Sequence, residues 1–186
     1  DWGDYASLNG RWLITGENQG GKSFKVEMDN DQVTLTIGEE VWKQTFEGAE
    51  LKLDPPDSGG LLVALHHLRL FLTHRGFLFS EFMYLGTEPF DGLGKRVDVL
   101  TSELTSVDSR WYFDDESQVF LGFDTQVRPE ADEAEIRFTQ IGEFGGLKFP
   151  SHWSLRSGGS EYGEWVIKSI ELSPGPKPAG KKVTSR

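Results

Sequence analysis

Apolar and polar side chains alternate with period two along most of the chain, which is typical of half-buried β-strands. The first fifty residues show the pattern clearly, because clusters of turn-forming residues at 29–31 and 38–40 separate the alternating stretches. Short connections of this kind join neighbouring antiparallel strands. We therefore predict a meander of five strands over residues 11–16, 24–28, 33–37, 42–46 and 49–53.

Residues 61–73 break this pattern, because apolar side chains there are too dense for a half-exposed strand. Good helix formers dominate the segment, and Asp57 or Ser58 is placed to cap its start. Gly76 lies just beyond its end, where a terminating glycine is expected. We predict one substantial helix over 61–73. Since it is apolar nearly all round, it should be buried on more than one side.

Strands resume after the helix, with a turn expected at Asp91-Gly92. The last strand is apolar on both faces, which predicts a bulge or two-sided burial. Residues 173–186 contain three prolines, two glycines and no apolar periodicity, so we expect a flexible tail behind a single domain spanning 1–172. The later strands are predicted over residues 77–86, 97–99, 111–113, 119–123, 134–138, 149–155 and 165–172.

The amino-acid composition argues against several classes of function. The 186 residues suffice for one sizeable core, and the formal net charge of −11 becomes −15 without the four basic groups of the tail. So acidic a surface repels phosphate, which argues against nucleic acid as a partner. The chain has no cysteine and no apolar run near the roughly 20 residues of a membrane span. Because it begins with Asp1 rather than Met, we expect it to be a fragment or a processed product.

Motifs for chemistry are missing from the sequence. His66 and His67 are adjacent, and His67 and His74 are seven apart, about 10 Å along a helix and too far to share one metal. There is no His-Glu-x-x-His pattern, no Gly-x-Ser-x-Gly elbow and no phosphate-binding loop. We expect no catalytic residue, no metal and no cofactor, so the domain should bind something rather than transform it.

Three stretches of the second half resemble the LolA-like family of outer-membrane lipoprotein carriers. They are Phe82-Met83-Tyr84-Leu85-Gly86, Trp111-Tyr112-Phe113-Asp114-Asp115, and Gly145-Gly146-Leu147-Lys148-Phe149-Pro150. The resemblance covers roughly residues 8–172. It implies a mainly β fold, in which a curved antiparallel sheet or incomplete β-barrel wraps around one central helix. It also implies an apolar cavity for acyl chains and a periplasmic or otherwise extracytoplasmic location.

Gly10-Arg11-Trp12 is similar to the opening of lipocalin-like barrels, and this resemblance also implies a curved antiparallel sheet around an apolar interior. An ordinary filled core and a ligand cavity are both open at this stage. If there is a cavity, the large apolar side chains of the helix and of the inward sheet face are the candidates for its lining: Trp12, Trp42, Leu62, Leu65, Leu68, Phe71, Leu72, Phe82, Trp111, Phe138 and Trp153.

Two further functions are compatible with the sequence. The domain is an accessory or protein-interaction module of a larger exported protein with flanking domains and no small ligand, or it is a carbohydrate-binding β module. The six tryptophans suggest the last of these, which requires two or more of them to be exposed in a row on one face.

Overall fold

The computed structural model describes residues 5–73, 78–90 and 94–175. The expected helix terminator Gly76, the turn at Asp91-Gly92, His74 and the tail from residue 176 lie outside these ranges. The described part contains one helix, α1 (Leu61–Leu72), and eleven strands. The strands are β1 (Trp12–Asn18), β2 (Ser23–Met28), β3 (Gln32–Ile37), β4 (Glu40–Thr45), β5 (Glu81–Phe90), β6 (Lys95–Leu104), β7 (Val107–Asp114), β8 (Phe120–Gln126), β9 (Ala134–Phe144), β10 (Leu147–Ser157) and β11 (Ser160–Leu172).

All eleven strands form one antiparallel sheet, in the order β4-β3-β2-β1-β11-β10-β9-β8-β7-β6-β5. Each ladder joins strands that are consecutive in the chain, except the one that pairs β1 with β11. The sheet therefore consists of two meanders joined at the first and last strands. Its two edges, β4 and β5, are not paired with each other, and α1 connects them in the chain. A curved, unclosed antiparallel sheet with one helix is consistent with the predicted incomplete barrel.

The helix and one face of the sheet share a hydrophobic core. The side chains of Trp12, Trp111 and Trp153, from three separate strands, are completely buried in it. Every residue of α1 except Phe71 is buried as well, as its apolar pattern predicted. Because fully burying a large apolar side chain is worth about 1.5–3 kcal/mol, this shared core is the main source of stability.

The start of α1 is organised by Ser58, one of the two predicted caps. The Oγ atom of Ser58 accepts a hydrogen bond from the backbone N–H of Leu61 at 3.2 Å and donates one to the carbonyl of Pro55 at 2.7 Å. The N-cap position itself is Gly60, with φ at 93°. A side chain there would be strained and would stand 2.6 Å from Val127, so glycine is required.

The predicted fifth strand over 49–53 was wrong. This segment has no strand ladder, because the side chain of Gln44 takes the place of a partner. The Nε2 group of Gln44 donates to the carbonyl of Glu50, and its Oε1 accepts from the N–H of Lys52. Leu51 and Leu53 pack in a small cluster near the helix start, which accounts for the apolar spacing without a strand.

The last strand contains the irregularity that its two-sided apolar pattern predicted. The register of β11 shifts against β1 between Thr15 and Gly16, and against β10 between Leu155 and Arg156. A Cβ atom on Gly16 would lie 2.1 Å from the carbonyl oxygen of Val166. The bulge therefore depends on a close approach of backbones that only glycine permits.

Arg69 is a completely buried cation within the otherwise apolar helix. Its Nη2 atom donates to the backbone carbonyls of Asn9 and Gly10, both at 2.6 Å, and to Oδ1 of Asn30 at 3.1 Å. These bonds tie the helix to the chain just before β1 and to the turn between β2 and β3. Buried charge is tolerated only when hydrogen bonds replace the lost hydration.

Arg69→Ala should lower the free energy of unfolding by about 3 kcal/mol, because it leaves buried carbonyls without their donor and opens a cavity. Urea unfolding followed by circular dichroism measures this change. Lys43→Ala, on the exposed face of β4, is the control and should stay within about 0.5 kcal/mol of the parent. A loss below about 1 kcal/mol in Arg69→Ala would contradict the anchoring role.

Candidate functional site

A cavity of about 240 Å³ opens beside α1, next to the segments that follow β4, precede β5 and join β6 to β7. We call it the seam cavity. The helix contributes one face of it, the segment after β4 contributes a second, and the chain around β5 to β7 contributes the third. Its described lining residues are Asn30, Phe46, Ala49, Leu51, Val63, His66, His67, Leu70, Leu78, Leu104, Thr105 and Val107.

No charged side chain is among these lining residues, although the chain carries 49 charged groups and a net charge of −11. Eight of the twelve side chains are apolar. Val63 and Leu70 are buried at the helix side, whereas Asn30 and Thr105 are exposed. The buried part of the lining is thus mainly apolar and the exposed part includes polar, uncharged side chains, which is the arrangement expected for an amphipathic ligand.

Two histidines give the base of the cavity its polar atoms. The ring of His66 stacks on Phe46 with centroids 3.7 Å apart, and the ring of His67 meets Phe79 edge-on at 5.6 Å. The Nδ1 atom of His67 lies 2.9 Å from Oγ of Ser109, which in turn lies 3.2 Å from Oγ1 of Thr125. This chain of hydrogen bonds fixes the His67 ring beneath the cavity.

His67 and Ser109 do not have the properties of a catalytic pair. Burial lowers the pKa of His67 to about 3, so its imidazole is a weak base near neutral pH. Among the described residues, no hydrogen bond joins His67 to a carboxylate that would orient it as a general base. Both side chains are also almost fully buried. We regard the pair as a polar contact that positions the helix.

Most of the eleven predicted lining residues belong to the core rather than to the seam cavity. Phe71 stacks on Trp111 with ring centroids 4.2 Å apart and lies 6.3 Å from Phe82. Phe138 contacts Trp153 at 5.7 Å on the other side of the core. The completely or almost completely buried members are Trp12, Leu62, Leu65, Leu68, Leu72, Trp111, Phe138 and Trp153, whereas Trp42, Phe71 and Phe82 are partly exposed. None of the eleven lines the seam cavity, and their role in ligand binding stays a prediction.

The sequence did contain a signal for the cavity. Val63, His66 and Leu70 are spaced i, i+3 and i+7, so they share one helix face that includes a polar residue. The partners of this face, such as Phe46 and Leu104, come from distant segments. Their assembly depends on the sheet topology and was missed.

A larger cleft of about 730 Å³ lies between the β7–β8 turn and the C-terminal half of β9. It forms because the β8–β9 ladder runs only from Gly122 and Arg137 to Thr125 and Ala134. Among its described lining residues, Val119 and Ile141 have large apolar side chains, whereas Glu143 and Lys148 are charged. This cleft has two charged side chains in its lining, whereas the described lining of the seam cavity has none.

A buried ionic cluster on the other face of the sheet is structural. The Arg137 guanidinium lies over the ring of Tyr112 at 4.9 Å and forms ion pairs with Asp124 and Glu135. Tyr112 donates to the Asp124 carboxylate. Burial, with a further contribution from Asp124, raises the pKa of Tyr112 well above its usual value. The cluster covers the small apolar group of Phe90, Val97, Val99 and Tyr112.

Residues 5–73, 78–90 and 94–175 contain no group of three histidine, aspartate or glutamate side chains placed to hold a metal ion. Within the same ranges, no helix is long and apolar enough to cross a membrane.

The described tryptophans do not form the exposed row that a carbohydrate-binding module requires. Trp12, Trp111, Trp153 and Trp165 are buried, and Trp42 is partly exposed.

No protein-family model matches the chain, and no curated protein sequence matches it. Among the solved structures that resemble it are the following three. A LolA superfamily protein from Nitrosomonas europaea is 10% identical over 93% of this chain and 92% of that one, with a TM-score of 0.49. A domain from Vibrio parahaemolyticus assigned to outer membrane lipoprotein-sorting proteins is 11% identical over 90% and 85%, with a TM-score of 0.43. A DUF1329 family protein from Desulfovibrio piger is 9% identical over 91% and 85%, with a TM-score of 0.40.

The LolA-like resemblance that the sequence motifs indicated is thus found again among solved structures. At identities of 9–11% it concerns the fold alone.

The buried His67 should make stability depend on pH. The unfolded chain protonates this side chain near pH 6.5, whereas the folded protein keeps it neutral down to about pH 3. The unfolded state therefore binds more protons in that window, and stability falls as the pH decreases through it. Between pH 7 and pH 5, His67 should account for a loss of about 2 kcal/mol in the free energy of unfolding.

Urea unfolding of the parent and of His67→Asn at both pH values measures this contribution. The loss between pH 7 and pH 5 should be about 2 kcal/mol smaller in His67→Asn. His152→Asn, on β10, is the control and should keep the parental dependence. An unchanged dependence in His67→Asn would show that folding does not lower the pKa of His67.

Proposed function

We propose that this domain binds a single apolar chain, such as the acyl chain of a lipid or lipid-modified protein, in the seam cavity, without catalysing a reaction. The observation that carries the proposal is the mainly apolar lining of that cavity, which has no charged side chain among the described residues. Burying acyl methylenes there is favourable by about 0.8 kcal/mol each. A charged lining would oppose such burial.

The size of the cavity limits the ligand. At about 30 Å³ for a water-sized group, 240 Å³ accommodates about eight methylene-sized groups in a row. This volume suits one chain or the end of a longer one. Because Asn30 and Thr105 are exposed at the mouth, the polar end of the ligand faces solvent while its apolar end contacts Val63 and Leu70.

The proposal includes an extracytoplasmic location, which the LolA-like sequence motifs imply. The absence of cysteine and the acidic surface are compatible with that location. The weak basicity of His67 supports the non-catalytic part of the proposal.

Leu78→Asp should weaken binding of dodecanoate at least tenfold, because it places a carboxylate at a partly exposed position in the lining of the seam cavity. Isothermal titration calorimetry with the parent and the variant measures the change. Ile141→Asp is the matched control, since Ile141 has a similar exposure but lines the larger cleft. It should leave the affinity within twofold of the parent.

Native mass spectrometry of the freshly purified protein, before and after organic extraction, identifies any lipid already bound. A loss of binding in Ile141→Asp with full binding in Leu78→Asp would move the ligand to the larger cleft. If the protein neither copurifies with a lipid nor binds dodecanoate, the proposal is wrong.

A further inference from the structure

The first half of β5 is an exposed apolar strand at the edge of the sheet. Phe82, Met83, Tyr84 and Leu85 are consecutive, and between 40% and 60% of each side chain surface is accessible. β5 pairs with β6 on one side and has no second strand partner among the described residues. Its outer backbone N–H and C=O groups are therefore available to another strand.

Edge strands are usually protected against such pairing by lysine, proline, a bulge or short length. β5 has ten residues and no lysine, its pairing with β6 is regular from Glu81 to Tyr84, and its bulge at Leu85 and its Pro89 come after that stretch. The opposite edge is different, because β4 has six residues and carries Glu40 and Lys43. Among the described edge strands, only the start of β5 combines regular pairing with three consecutive exposed apolar side chains, those of Phe82, Met83 and Tyr84.

The start of β5 presents apolar side chains on both faces of the sheet. Phe82 and Tyr84 point to the face that carries α1, where the Phe82 ring lies 5.1 Å from that of Phe79. Glu81 and Met83 alternate with them and point to the other face. A strand added here would meet apolar side chains on both of its faces.

A row of carboxylates crosses the sheet at one end of this segment. Glu81 is directly opposite Glu103, which is directly opposite Asp108, and all three are exposed. None of the three belongs to an ion pair within the described residues. Like charges directly opposite one another destabilise a sheet, so a cation from outside would relieve the repulsion. The negative charge of the row therefore favours a partner that places a positively charged side chain next to it.

We propose that the edge of β5 binds an extended segment of a partner protein by strand addition. The partner presents apolar side chains along Phe82–Leu85 and a lysine or arginine next to Glu81. This surface is separate from the lining of the seam cavity, except that Leu78 precedes β5 by three residues, and the inference does not depend on a lipid ligand. A second copy of the acidic chain fits less well, because it would bring more carboxylates to the row.

The probe is an acetylated and amidated peptide in which two lysines precede four alternating valine and threonine residues. A matched peptide replaces both lysines by glutamate. Binding to the full ¹⁵N-labelled chain is followed by amide chemical shifts and amide exchange at low salt. The lysine peptide should bind at least tenfold more tightly than the glutamate peptide, and protection should increase in Glu81–Leu85.

Met83→Lys should reduce the affinity for the lysine peptide at least tenfold, because lysine on an edge opposes strand addition. Val41→Lys is the matched control, since Val41 is an exposed residue of the other edge strand, and it should change the affinity less than twofold. Glu81→Gln combined with Glu103→Gln should reduce the salt dependence of binding. Amide spectra verify that each variant folds.

Any one of three results would overturn the inference. The first is equal binding of the two peptides, and the second is a set of chemical shift changes in β4 instead of β5. The third is a concentration-dependent dimer of the chain that Met83→Lys dissociates. The last result would assign the edge to a second copy of this chain.

Discussion

Antiparallel pairing of Trp12–Asn18 with the strand Ser160–Leu172 is the ladder that joins the two meanders of the described sheet. All other ladders connect neighbours in sequence, so this contact alone determines which strands become the edges of the sheet. With β1 and β11 in the middle, β4 and β5 are left at opposite ends. The helix lies between these two edge strands in the chain. A ladder between residues so far apart in the chain is costly in loop entropy, and its formation is expected to limit the rate of folding.

The helix is apolar nearly all round because it is covered on several sides. Its contacts reach β3 and β4 in the first meander and β8 in the second. Arg69 adds directional bonds to this non-directional packing, since its guanidinium reaches the backbone before β1 and the turn after β2. The seam cavity lies beside this helix, where the segment after β4, the residue Leu78 before β5 and the β6–β7 turn leave a space.

Charge is distributed so that the two proposed binding surfaces differ in character. The seam cavity has no charged lining and suits a chain without charge along most of its length. The β5 edge combines apolar side chains with the carboxylates of Glu81, Glu103 and Asp108, and suits an apolar segment that carries a cation. The β5–β6 hairpin is common to both, because Leu104 at its end lines the cavity. A domain of this kind can hold a ligand and a protein partner on neighbouring parts of one hairpin.

The sequence by itself determined the local elements. Period-two alternation located most of the strands, the apolar run located the helix, Ser58 marked its start, and the two-faced last strand revealed its bulge. These features depend on neighbours a few residues apart. Where a local pattern had no ladder partner, as at residues 49–53, the prediction of a strand was wrong. There the Gln44 side chain replaced the ladder.

The tertiary structure decided which apolar residues fill the core and which border a space. Trp12 and Trp153 are candidates in the sequence for a cavity lining, and in the structure both are fully buried in the core. Phe46, Leu78 and Leu104 have no distinguishing pattern in the sequence, and they border the seam cavity because the fold brings distant segments to one side of α1. Hydrophobic periodicity gives the direction of a side chain, whereas a cavity depends on the volumes of side chains from distant segments that must pack against one another.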